Sequence, residues 1–151
     1  MKPFVFRLQT KLDVVNLEED LVRQELKHHL EARDKVQFAL EEIVDEIQQV
    51  ENSLVQMMQG TVSLDKMLLM RNYLPVLSES RQLKEQELRQ AEQTVEEVRE
   101  QLVSKRKECR VLEKLKERDW HEYKQEWQRQ EQKVLDEVAA NNHYRSISRE
   151  R

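Results

Sequence analysis

The chain has 151 residues, 37% of them charged, with 26 Lys and Arg against 30 Asp and Glu, one glycine, two prolines and one cysteine. The near-balance of charge argues against a nucleic-acid backbone as ligand, the lone Cys109 excludes an internal disulfide, and the scarcity of turn-forming residues excludes a globule built from many short elements. Glu, Gln, Leu, Lys, Arg and Val dominate, and the apolar ones recur with a period, so the composition points to long helices.

The opening "MKPFVFRLQTK" is basic but holds only three consecutive apolar residues, too few for the apolar region of a secretory signal. No apolar run approaches the roughly 18 residues of a membrane helix. The expectation is a soluble cytoplasmic protein with no direct membrane insertion.

From Val5, alternating steps of three and four residues reach Leu8, Leu12, Val15, Glu19, Val22, Leu26, His29, Arg33, Val36, Leu40, Ile43, Ile47, Val50, Leu54 and Met57, and only Glu19, His29 and Arg33 are polar. A seam of period 3.5 held this long is a coiled-coil signal and needs a second helix to cover it. The spacing predicts a first helix over about 4–58. It fails at "MMQGTVSLDK", where the only glycine, Gly60, precedes Thr61 and the N-cap candidate Ser63, so a turn is expected over about 59–63.

A second seam runs through Met67, Met70, Leu74, Leu77, Arg81, Lys84, Leu88, Ala91, Val95, Val98, Leu102, Lys105, Cys109, Leu112 and Lys116, predicting a second helix over about 64–140. The expected fold class is all-α: a long two-helix antiparallel coiled-coil hairpin with a longer second helix, one domain over 1–151. Matching Met57 with Met67 makes partner positions add up to 124, which sets Glu19 against Lys105 and bulky Arg33 against small Ala91. Polar seam pairs of this kind specify register better than they stabilise. Pro75 lies inside the second helix and predicts a kink. The competing reading places the turn at "RNYLP" and starts the second helix at Val76.

Helix 1 is exhausted where "DWHEYKQEW" begins. There Trp120, Tyr123, Trp127, Gln130, Val134 and Val138 follow, with two successive steps of four at the end that locally unwind a supercoil. Two readings stay open for this overhang. Phe4 and Phe6 can fold against Trp120 and Tyr123 to close the open end, or the stripe Tyr123, Trp127, Val134 and Val138 stands bare as an interaction surface. Self-association of the overhangs is a further option for Trp127. The end, "NNHYRSISRER", has lost the apolar period and reads as a frayed basic tail over 141–151.

Chemistry-bearing motifs are missing. One glycine cannot build GxxxxGK[ST] or GxGxxG, and His28, His29, His121 and His143 have no partner at metal-ligand spacing. His29 and Cys109 fall in the seams, and the carboxylates line helix faces. No enzyme, cofactor or metal is expected.

The opening "FVFRLQTKLDVVNLEED" and the closing "VLEKLKERDWHEYKQEWQRQEQKVLDEVA", with Leu112-Glu113-Lys114-Leu115-Lys116, Tyr123, Glu131 and Leu135-Asp136-Glu137, resemble the flagellar export protein FliJ family. The resemblance covers essentially the whole chain in length, hairpin design and turn position. It implies a small coiled coil serving bacterial flagellar type III export. Such a protein binds the hexameric export ATPase as a central stalk, much as the γ subunit sits in rotary ATP synthases. It also contacts the membrane export gate and meets export substrates or their escort chaperones at the cytoplasmic face of the flagellar base. It further implies Phe4, Phe6, Arg7 and Leu8 at one terminus, and Tyr123, Glu131, Asp136 and Glu137 at the other, as the ATPase-facing end. Trp120 and Trp127 join them from the overhang argument. Pro75 departs from an uninterrupted helix.

Two other classes remain: a structural scaffold that self-associates through the same seams, and an amphipathic helix on a membrane surface. The narrow seam, lacking a broad apolar face with basic flanks, argues against the latter.

Overall fold

The computed structural model describes residues 3–60 and 63–149, the last seven of these as backbone alone. Two helices account for nearly all of it: α1, Gln9–Met58, of 50 residues, and α2, Leu64–Arg149, of 86. They pack side by side as an all-α hairpin with the second helix the longer.

The buried positions follow the 3.5 period. From Leu8, just before α1, to Met57 every seam residue is buried or half-buried, and on α2 the same holds from Met67 to Lys116 with one exception. Arg81 is exposed, because its guanidinium turns along its own helix to Glu85, 3.2 Å away. A long side chain at a seam position can leave it when a carboxylate lies one turn on.

The first helix starts later than the expected residue 4. Residues 3–6 are not helical, and their burial alternates: Phe4 half-buried, Val5 79% exposed, Phe6 buried. Alternation of period two is what a non-helical chain presents, so Val5 leaves the seam although its spacing fits. The Gln9 amide donates to the Phe6 carbonyl at 3.1 Å and the Leu12 amide to the Leu8 carbonyl at 3.0 Å, which starts the helix.

At the other end of α1, the Gln59 and Gly60 amides donate to Gln56 and Met57 three residues back, tightening the last turn. No residue, Gly60 included, has a positive φ among the described residues. Ser63 caps α2 as its sequence suggests, its hydroxyl and carbonyl both accepting from the Lys66 amide at 3.4 and 3.2 Å. Thr61 and Val62 of the expected turn lie outside the described residues. Residues 71–75 are helical, which removes the alternative turn at "RNYLP". α2 passes through Pro75 and continues past the expected end near 140, since nothing from Ala139 to Arg149 is a glycine or proline that would stop it. Of the expected basic tail, residues 141–149 are helical, and Glu150 and Arg151 lie outside the described residues.

The chain divides into two compact units, Met1–Glu19 with Ser104–Arg151, and Asp20–Val103. In the second, Leu77, Val95, Val98 and Leu102 of α2 are buried, while α1 contributes half-buried residues such as Val22, Leu26 and His29. His29 lies 3.8 Å from Glu25 on its own helix. Arg33 is half-buried and its guanidinium bonds Asp34 on its own helix. The first unit carries the candidate site.

Candidate functional site

The base of the first unit is an apolar cluster of Leu12, Val15, Cys109 and Leu112, with Leu8 and Leu115 packed against it. These residues recur at steps of four and three at the start of the chain and of three on α2, so each segment turns one stripe to the other. Leu12 with Leu112, and Val15 with Cys109, fall on the predicted register. Burial, then a hydrogen bond with Glu19, pushes the Cys109 thiol above its ordinary range, which keeps it protonated.

One layer further in, the predicted pair Glu19 with Lys105 is replaced by two pairs set one residue to either side. Lys105 Nζ lies 2.7 Å from Glu18 and Arg106 Nε 3.3 Å from Glu19. Lysine and arginine stems are long enough to cross a layer, and Glu19, with its side chain only 14% exposed, gains the bidentate-capable guanidinium. Lys105 also reaches Glu108 at 3.6 Å. The Glu18 hydrogen bond holds the Lys105 ammonium above the usual lysine range against an opposing effect of burial.

At the open end four rings meet. Phe4 stands edge-on to Trp120, centroids 5.1 Å apart and planes at 74°, and tilts against Tyr123 at 5.5 Å. Trp120 and Tyr123 stack at 5.7 Å and 22°, and Tyr123 reaches Trp127 at 6.2 Å. Steps of three and four place the three α2 rings on one helix face. Trp120 remains 49% exposed and Trp127 45%. Phe4 thus performs the closure that the sequence suggests for Phe4 and Phe6, while Phe6 is buried.

Beyond Tyr123 every described side chain of α2 is exposed. Trp127, Gln130, Glu131, Val134 and Leu135 line an open groove, and Val138 continues its face. Of the residues singled out in the sequence, Phe4, Trp120, Tyr123 and Trp127 come together, and Glu131 borders the groove. Arg7 is exposed next to residues 3–6, the N-terminal strap, while Phe6 is buried and Leu8 packs against the base. Asp136 accepts from Gln132 Nε2 at 2.8 Å, and Glu137 is exposed.

Two features escape a heptad reading. Leu135 joins the groove because Trp127, Glu131 and Leu135 form an i, i+4, i+8 row, a ridge that a 3.5-period template skips. In the second unit Leu69, Tyr73, Val76 and Leu83 are all exposed and recur at steps of four, three and seven, an outward stripe beside the seam. There the Tyr73 hydroxyl donates to Glu46 at 2.8 Å, a bond that raises its pKa. The signal for both was present in the spacing.

Among the described residues no cluster of His, Cys, Asp and Glu could hold a metal ion, and no helix is long and apolar enough to cross a membrane. The arrangement offers contacts: an apolar groove, an aromatic row and flanking charges. The family model described as Flagellar FliJ protein matches residues 4–148, from the strap to the last turns of α2. No curated protein and no solved structure gives a significant match.

Proposed function

Because the chain belongs to the FliJ family and is therefore a component of the flagellar export apparatus, we propose that it acts there as a coiled-coil stalk and general chaperone. In this reading its open end engages the hexameric export ATPase and promotes the activity of the ring, without being an enzyme itself. The observation that carries the reading is the uncovered groove at Trp127, Glu131, Val134 and Leu135 on a helix that has outrun its partner. A large aromatic beside aliphatic side chains, with a polar margin, is the composition of a binding hot spot.

The contact with the membrane export gate falls on the body of the hairpin. The stripe Leu69, Tyr73, Val76 and Leu83 supports this, as an outward apolar face left open by the seam. Export substrates or escort chaperones would be met at the same assembly, on the cytoplasmic side of the flagellar base. A self-associating scaffold is disfavoured because the hairpin satisfies its own seams, and hydrodynamic mass at low concentration separates the two.

The test is the ATP hydrolysis rate of the export ATPase from the same organism with the wild type or Trp127→Ala added. The wild type should stimulate hydrolysis, and the variant should require about tenfold or more protein for the same effect, the scale of a lost hot-spot residue, with unchanged helicity. An active, assembled ring that neither binds nor responds to the wild type refutes the stalk.

A further inference from the structure

The N-terminal strap and the groove do not meet directly, yet an unbroken row of rings joins them. Phe4 contacts Trp120 and Tyr123, and Tyr123 alone carries the row on to Trp127. On an isolated helix Tyr123 and Trp127, four residues apart, would each sample several staggered rotamers. Here Tyr123 packs against both the stacked Trp120 ring and the tilted Phe4 ring, which also touch each other, and from that three-ring cluster it contacts Trp127. The same indole lines the groove with Val134 and Leu135.

The strap is anchored for this task. Phe6 is buried, and its carbonyl is tied to the Gln9 amide at 3.1 Å, while Val5 between the two phenylalanines faces outward. Phe6 is therefore buried and Leu8 packs against the base, while Phe4 spends its ring on Trp120 and Tyr123.

We propose that Phe4 is a positioning residue: acting through Tyr123, it fixes the indole of Trp127 in the pose that the ATPase-facing groove presents. The inference rests on the stalk reading for its effect on binding, but its effect on Trp127 belongs to the free protein and is tested there. It assigns the N-terminal strap an indirect role, distinct from the direct contact that its place at the open end would suggest.

The experiment uses the full chain in a Trp120→Phe background, which leaves Trp127 as the sole tryptophan and keeps a ring at position 120. Phe4→Ala should lower the fluorescence anisotropy of Trp127 and raise its quenching by acrylamide. Phe4→Tyr should restore both, and Arg7→Ala should leave both unchanged. Tyr123→Leu should reproduce the Phe4→Ala signature, and adding Phe4→Ala to it should change nothing more, since the relay is already cut. Circular dichroism establishes that each variant keeps its helix.

Affinity for the assembled ATPase ring, read by the same anisotropy, should fall about two- to tenfold in Phe4→Ala, the equivalent of one lost aromatic pair, and recover in Phe4→Tyr. The positioning role is overturned if a folded Phe4→Ala protein keeps the parent's anisotropy and quenching, or if the Phe4 and Tyr123 effects simply add. A ring that ignores the parent protein overturns the stalk reading instead, and the fluorescence arm still decides the role of Phe4.

Discussion

Two successive stretches of α2 in the same compact unit have similar sequence and opposite fates. From Ser104 to Tyr123 the helix is covered by the start of α1 and by the strap, and Cys109 and Leu112 are buried while Leu115 and Tyr123 are half-buried. From Lys124 to Asn142 it carries Trp127, Val134, Leu135 and Val138 at comparable spacing, and every one is exposed. Periodicity therefore states that a helix has an apolar face and not that anything lies on it. What closes the first stretch is chain: the start of α1, from Gln9, and the strap supply partners as far as Tyr123 among the described residues.

The comparison makes the energetic consequences separable. The largest expected effect is on folding: Leu112→Ala removes a buried side chain from the base cluster and should cost about 2–4 kcal/mol, whereas Val134→Ala, on the bare stretch, should stay within about 0.5 kcal/mol. Urea unfolding followed by circular dichroism distinguishes them. Equal losses at both positions would mean that the second stretch is covered in solution.

A second expected effect concerns pH and belongs to the covered stretch. Cys109 and Lys105 both bind their protons more tightly folded than unfolded, since both pKa values are raised. Their contributions are therefore complete below the unfolded values and are lost as pH rises through the folded ones. Melting temperature should be flat around neutrality and fall above about pH 9, the range in which free thiols and then lysines titrate. Cys109→Ala should remove the earlier part of that fall, and an unchanged alkaline profile in this variant would contradict the assignment.

The smallest expected effect compares ion pairs. Arg106 reaches across to the nearly buried Glu19, while Arg129 meets Glu126 along the bare helix at 3.9 Å. Arg106→Ala should cost about 0.5–1 kcal/mol and Arg129→Ala close to nothing, measured by the same unfolding curves at low and high salt.

The fold was legible because seam side chains have to alternate by three and four, and the register followed from letting Met57 face Met67. Leu12 with Leu112, Val15 with Cys109 and Phe4 with Trp120 all lie on it. What misled was where spacing and chain geometry part. Val5 fits a heptad but stands in a strap that alternates by two, and Glu19 takes Arg106 because a long cation spans a layer. The end of α2 was underestimated because loss of an apolar stripe does not end a helix that contains no breaker.

At the site, the two tryptophans were visible from composition, and the register that set Phe4 against Trp120 and left Trp127 two turns further out already separated them. Trp120 is tied to Phe4 and Trp127 lines a groove, so among the described residues only the first is met by the strap. Leu135 and the Leu69 stripe were missed for a common reason: each lies beside the heptad seam, where a period tuned to one partner helix does not look.

The most direct test of the uncovered end is amide hydrogen exchange on the full chain, free and with the assembled export ATPase. Free, residues 124–142 should exchange much faster than 104–123, as an uncovered helix does beside a packed one, and the ring should slow exchange at 124–142 selectively. Slow exchange of that stretch in the free protein, or a ring that binds while protecting only other segments, would contradict the account.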